Sequence, residues 1–513
     1  TGVGTGGPAS CTSAGAGTVT PGWCRGGDRS MPANLGDGSL YYPRAIVAAA
    51  GYIYVGTQGA VVRFNAGDGS YAGWIGMVGA SSPSGGAAGC STTLNTQITP
   101  GWCTGGTTVT ANPRTNPGAI RDPSGMHILG TTLYVVDEQN GGVIGRYDID
   151  TGAFLGLMPS LAYNWVSPRQ ITSDGSQFFI ADWHRLIKVD MDGLVTGWIG
   201  KVSNNNSMSG AGCGSLQPND NTPGWCLGGS SKHGMDERAF HNLTAVAYDG
   251  AGNIVTGQGD NFPAVKIFNA TTGVYGGSLG AKSISPTSWS NNANSDAEFY
   301  GFDDNSMYSP NGSYIHNGYI YFVELNAARI KKVELATGRL IGWIGGITTV
   351  PTGGASGCLS ANAMGPSPGW CLGALFNPEY MWSSMIPSTT SGILYHPTGI
   401  TGDGTHLYVA DKGLDRIHKF NLSTGAYVGW IGKVSSTAPT GGAPGCIGLA
   451  NGSATPGWCT GGTSTTGNGD GHLHNPLDVV ENGGLLYVLD SDNHRISRYN
   501  ASTGAFMGWI GRT

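Results

Sequence analysis

The chain has 513 residues, of which only 11% are charged, and carries a net charge of −6. An ordinary globular protein has about 25% charged residues, and charge this thinly spread forms no basic stripe, which excludes nucleic acid as an expected partner. No apolar run reaches membrane-spanning length, so no membrane insertion is expected, while 39% hydrophobic residues with 14 Trp and 21 Tyr can bury a large core, which excludes disorder.

In chain order the first element is a loop, residues 1–40, that starts at Thr1 without Met or a signal-peptide pattern, as in a processed secreted chain. It contains VTPGWCRGG at 19–27, and near copies stand at 99–106, 222–229, 367–374 and 453–462. Each PGWC cysteine has a partner thirteen positions earlier, so all ten cysteines fall into five pairs: Cys11/Cys24, Cys90/Cys103, Cys213/Cys226, Cys358/Cys371 and Cys446/Cys459. Zinc requires four ligands, and no CxxC or neighbouring His pair supplies the other two. The constant local spacing predicts five disulfides and an oxidising compartment, hence an extracellular protein, secreted or at the cell surface.

Between these loops (1–40, 77–117, 201–237, 346–392 and 433–470) runs a longer repeat of seven units, at approximately 41–76, 118–158, 165–200, 238–280, 306–345, 393–432 and 471–511. One interval recurs in them. Fourteen positions link Pro43 to Thr57, Pro123 to Asp137, Pro168 to Asp182, Leu243 to Gly257, Pro310 to Glu324, Pro397 to Asp411 and Pro476 to Asp490. Each unit reads as four short strands, as in TGIT (398–401), HLYVAD (406–411), RIHKFN (416–421) and AYVGWIG (426–432). Alternating apolar and polar residues between Gly and Asn turns specify antiparallel sheet, because Gly and Asn serve turns and weaken helices. Seven such units in one domain (1–513) predict an all-β, seven-bladed propeller of four-stranded blades with long disulfide-closed loops on one face.

Residues 469–499, GDGHLHNPLDVVENGGLLYVLDSDNHRISRY, resemble an NHL repeat, and 396–420 resemble it nearly as well. Units one to five share the spacing more than the letters. The resemblance covers the strand modules, about half of the chain, and implies a β-propeller. It implies no single activity, since such propellers serve as binding platforms and occasionally as enzymes.

Trp ends the fourth strand at Trp74, Trp198, Trp343, Trp430 and Trp509, while the other two units have Leu157 and Ser278. Around a ring, every Trp unit is followed by a cysteine loop, and the Leu157 and Ser278 units are not. The indole is therefore expected to be the platform on which the loop packs. Trp509 ends the chain and the Cys11–Cys24 loop begins it, so the expectation is a closed monomer in which that loop covers Trp509. A head-to-tail assembly is the alternative.

The PGWC rings Trp23, Trp102, Trp225, Trp370 and Trp458 have two readings. Pro-Gly fits the centre of a type II turn that sets the indole beside its own bridge or on the blade-end Trp. Alternatively, five exposed rings on one face bind sugars or another subunit. His241, His396 and His474 lie near the channel mouth as candidate metal ligands beside a structural turn-capping role. No catalytic residue and no cofactor is assigned, with Ca²⁺ or Zn²⁺ the open alternatives. Seven sequons (Asn205, Asn242, Asn269, Asn311, Asn421, Asn451 and Asn500) permit glycosylation without arguing for it.

The expected function is an extracellular structural or interaction protein whose partners are other copies of itself, other surface proteins or glycans. Sparse charge favours association into a fibre, sheath or surface layer. The rivals are a secreted metal-dependent propeller lyase or hydrolase and a carbohydrate-binding module using the PGWC rings.

Overall fold

The computed structural model describes residues 4–15, 17–26, 37–138, 142–158, 165–234, 236, 238–259, 264–280, 288–289, 303–304, 306–363, 365–373 and 391–512. These residues form seven antiparallel sheets, each built on a meander of four strands in chain order. In the seventh the strands are Pro476–Asn482, Leu485–Asp490, Arg495–Asn500 and Phe506–Gly511. The second strand of each blade is a mostly apolar run rather than an alternating one, and it is buried on both faces between neighbouring blades, as in Leu485–Asp490, where all but the first residue are buried. Among the described residues there is no α-helix, and no helix is long and apolar enough to cross a membrane.

The first strands of the seven sheets are Ala45–Ala49, Pro123–Leu129, Pro168–Ser173, Leu243–Tyr248, Pro310–His316, Pro397–Gly402 and Pro476–Asn482. Each packs beside the first strands of both neighbouring sheets, and the first sheet meets the seventh. The ring is closed. The core is correspondingly divided, with one apolar cluster per interface, such as Tyr408, Ile431, Trp458 and Leu486 between blades six and seven.

The fourteen-residue interval has a direct meaning. It is the cross-strand pair at the start of the first hairpin, Pro476↔Asp490, Pro397↔Asp411, Pro310↔Glu324, Pro168↔Asp182 and Pro123↔Asp137, followed each time by a bulge. Two units depart from it. Leu243 pairs with Gln258 rather than Gly257 because this hairpin is one residue longer, and in the first unit pairing begins at Ala45↔Gly56, beyond Pro43. The blades are also unequal. Six have a fourth strand of five residues or more, and the second ends in the four-residue strand Phe154–Leu157. Complete blades thus number six, against seven equal units expected. Among the described residues that strand has neither a blade-end indole nor an outer strand to pair with.

All five cysteine pairs form disulfides, each with a sequence separation of 13. No cysteine is free. The loops lengthen the sheets outward: in blades one, five and six the PGWC segment is a fifth strand and a Gly-Gly pair a sixth.

Candidate functional site

Each blade-end Trp is the pairing partner of the second cysteine of its loop: Trp74↔Cys103, Trp198↔Cys226, Trp343↔Cys371, Trp430↔Cys459 and Cys24↔Trp509. The five indoles are 0–1% exposed. Three donate Nε1–H to the loop glycine two residues past the cysteine, to Gly105 (3.0 Å), Gly228 (2.9 Å) and Gly461 (2.8 Å). The pair Cys24 and Trp509 exchange both backbone hydrogen bonds, at 3.1 and 2.9 Å, and Thr20 donates to Gly511 at 2.8 Å. The N-terminal loop therefore lies on the last blade of its own chain.

The PGWC tryptophan makes a second connection, to the following blade. Its backbone N–H and its indole N–H both donate into that blade's turn between strands three and four. Trp458 donates to Thr503 (3.2 Å) and, through Nε1, to Ala501 (3.1 Å). Trp370 binds Thr424 and Leu422, Trp225 binds Thr272 and Ala270, Trp102 binds Thr151 and Ile149, and Trp23 binds Asp68 and Ala66. The ring is held on its other side by the blade it left. Tyr408 of the second strand lies 5.8 Å from Trp458 and Lys419 of the third sits 5.3 Å above it. The same pair recurs as Tyr487 with Arg498 for Trp23, Tyr54 with Arg63 for Trp102, Phe179 with Lys188 for Trp225 and Tyr321 with Lys332 for Trp370. Cations over aromatic faces gain strength when desolvated. Each cystine loop is a clasp: it extends one blade and plugs its indole into the next.

This corrects two expectations. Four of the PGWC rings are 3–5% exposed and Trp225 is half-buried, so Trp23, Trp102, Trp225, Trp370 and Trp458 do not offer five open faces to sugars. The ring is consumed by the neighbouring blade, an occupant the sequence does not reveal. The Pro-Gly pair is also not a type II turn. Such a turn needs positive φ at Gly, and Gly22, Gly101, Gly224, Gly369 and Gly457 are absent from the left-handed region. Their glycine is required by close approach instead. A Cβ on Gly101 would lie 2.4 Å from the Thr151 carbonyl oxygen, and one on Gly457 2.5 Å from that of Thr503.

A sixth clasp has no cysteine. Trp289 donates its backbone N–H to Thr337 (2.8 Å) and Nε1–H to Leu335 (2.7 Å), filling the junction between blades four and five. The signal was SPTSW at 285–289, a proline three residues before a Trp, which lacks the Gly and Cys of the other copies.

The acids that end the second strands cap the entry to the first. Asp490 accepts from His474 N–H (2.8 Å), Asp411 from Tyr395 (2.8 Å), Glu324 from Tyr308 (2.8 Å), Asp182 from Ser167 (2.7 Å) and Asp137 from Arg121 (2.6 Å). Four also hold a buried Arg or His: Arg495 with Asp490 and Arg185 with Asp182 at 2.8 Å, Arg329 with Glu324, and His418 with Asp411 at 3.0 Å. Burial pushes the Asp411 carboxyl up to about 7 and the His418 imidazole well down. The histidine candidates are placed separately. His474 faces Asp492 at 3.6 Å, His396 stacks on Tyr395 at 4.3 Å, and His241 meets His233 edge-on at 5.8 Å. Among the described residues no three His, Cys, Asp or Glu side chains are grouped to hold a metal.

The first strands of all seven blades line a central cavity of about 700 Å³. Arg44 pairs with Asp122 at 2.6 Å and Arg169 with Glu138 at 2.8 Å along its wall. Asp478 is pushed up to about 6 by burial and approaches so closely that a Cβ on Gly399 would stand 2.5 Å from its Oδ1.

The Trp430 platform has a measurable consequence. Trp430→Ala is expected to accelerate hydrogen exchange across 446–460 at least tenfold while the first strands keep their protection, because the loop would lose its anchoring ring. Unchanged exchange there would show that the indole carries no load.

No family model and no curated protein matches the chain. Among solved structures it is similar to the computationally designed Ika8 protein, at 8% identity and TM-score 0.41, covering 94% of this chain and 98% of that one. It is similar to a chain of a nidogen/laminin complex at 12% identity and TM-score 0.33, covering 69% and 91%. It is also similar to hydrazine synthase of Kuenenia stuttgartiensis at 10% identity and TM-score 0.42, covering 90% and 96%. The fold assignment rests on the sheet topology of the chain itself.

Proposed function

We propose that this protein is an extracellular structural and interaction scaffold, an NHL-like propeller hardened by cystine clasps, that associates with other copies of itself or with other surface proteins. The observation that supports this reading most is the clasp: every disulfide loop bridges two blades, including the junction where the two ends of the chain meet. That investment reinforces the ring as a whole and leaves the cavity wall to the seven first strands. The sparse charge of the surface lowers the electrostatic cost of packing copies together, and the disulfides match an oxidising environment outside the cell. Negative-stain microscopy of the native material tests the reading. Filaments, sheets or a surface layer of ring-shaped units are expected, and monodisperse single rings at every concentration would overturn self-association.

A further inference from the structure

At six junctions a Trp covers the glycine in the middle of the preceding blade's fourth strand. A Cβ on Gly73, Gly197, Gly277, Gly342, Gly429 or Gly508 would lie 2.4–3.1 Å from that residue, and all six glycines are buried. Blade two has the same glycine, Gly156, with φ of 112°, yet a Cβ there would meet only Arg146 at 3.4 Å and the glycine is half-exposed. Its strand, Phe154–Leu157, is the outermost of its sheet among the described residues. The counterparts of Leu157 are engaged differently: Trp198 and Trp509 each exchange two backbone hydrogen bonds with a cysteine strand. Blade two nonetheless keeps the platform residues, with Tyr134 and Arg146 at the strand positions of Tyr54 and Arg63.

The facing side differs in a consistent way. The turn of blade three closes one residue earlier, Asp190 N–H to Leu194, where Asn500 N–H reaches Ala505. It has no threonine carbonyl to receive a Trp and instead exposes Met191 (41%) and Leu194 (63%), while Leu155 on blade two is 47% exposed. Phe178, where the other six blades have Ile or Leu, fills the inner part of this junction against Tyr134 at a ring distance of 4.4 Å. Among the described residues the outer part stays open, bounded by an unpaired strand edge, the Arg146 guanidinium, Gly156 and two exposed leucines.

We propose that this edge of blade two is a docking site for an extended, tryptophan-bearing segment of another polypeptide. The segment adds as a fifth strand beside Leu157, supplying the backbone partners an edge strand lacks, and sets the backbone and Cβ of its Trp over Gly156 with the ring against Tyr134 and Arg146. The occupant's chemistry is the one this chain uses at its six other junctions, where the backbone and Cβ of a Trp cover the same glycine and, at five of them, the indole lies by the aromatic and cationic side chains of the second and third strands. The site does not depend on self-association. It is tested on the full chain by fluorescence polarisation, using as probe a labelled synthetic peptide of residues 441–463 closed by its own disulfide. Saturable binding is expected, at least tenfold weaker for the peptide carrying Trp458→Ala. It should also fall at least tenfold on Leu155→Asp and on Leu194→Asp, both exposed positions that leave the core untouched, and be unchanged on Ile447→Asp, an exposed position in a distant loop. No saturable binding, equal binding of the Trp-less peptide, or undiminished binding to both leucine variants would overturn the proposal.

Discussion

Deletion of residues 1–40 is expected to lower the melting temperature by on the order of 10 °C and to open the last blade's outer strand, Phe506–Gly511, to hydrogen exchange. The segment supplies both members of one clasp. It pairs Cys24 with Trp509 and plugs Trp23, 3% exposed, into blade one through Ala66 and Asp68. Loss of a buried Trp side chain alone costs about 3–5 kcal/mol, and Arg498, now 4.2 Å from the Trp23 ring, would lose its cover. Because the contact is within one chain, its effect should be independent of protein concentration. The check is a melting curve with iodide quenching of the newly exposed Trp509. A truncated chain that melts where the full chain does, but no longer assembles, would mean that the loop serves a neighbour in solution.

Glu324→Ala is expected to be the most damaging single substitution, at about 3–5 kcal/mol, because it strands buried cations. Glu324 is fully buried, pairs with Arg329, lies 3.8 Å from Lys331 and accepts the Tyr308 N–H at 2.8 Å. Burial has already pulled Lys331 down to about 8, and its ammonium also donates to backbone carbonyls such as Asp304 at 3.1 Å. Removing the carboxylate takes the paired charge from both cations and the 2.8 Å acceptor from the Tyr308 N–H. Glu324→Gln keeps an acceptor and should cost less. Chemical denaturation at pH 7 separates the two, and equal stability of Glu324→Ala and the parent would show the carboxylate to be dispensable.

Much of this was legible because it is local. The strand modules follow from alternation between Gly and Asn turns, the disulfides from a constant separation of 13, and the closure at Trp509 from phase alone. What stayed hidden depends on the neighbouring blade. Nothing in PGWC says that its Trp reaches a carbonyl 43 residues on, as Trp458 reaches Ala501. For the same reason Pro-Gly read as a turn of its own, when Gly457 in fact yields to the Thr503 carbonyl of blade seven. Trp289 was missed because its function survives the loss of the cysteine that announced the others. The acids that end the second strands cap the backbone at the start of the first strand, a service that depends on a register visible only once Pro476 and Asp490 stand opposite each other.

The clasps also set how the ring bears tension. A β-propeller without them resists opening only by side-by-side packing, so a crack between two blades could run inward from the rim. Here a pull on any clasped blade is handed at the rim to the next one, through a strand, a cystine and an indole in series, as in a hooped barrel. Stress concentrates where the hoop is thinnest, at blades two and three, and that is where a tear should start and where a partner strand would reinforce the wall.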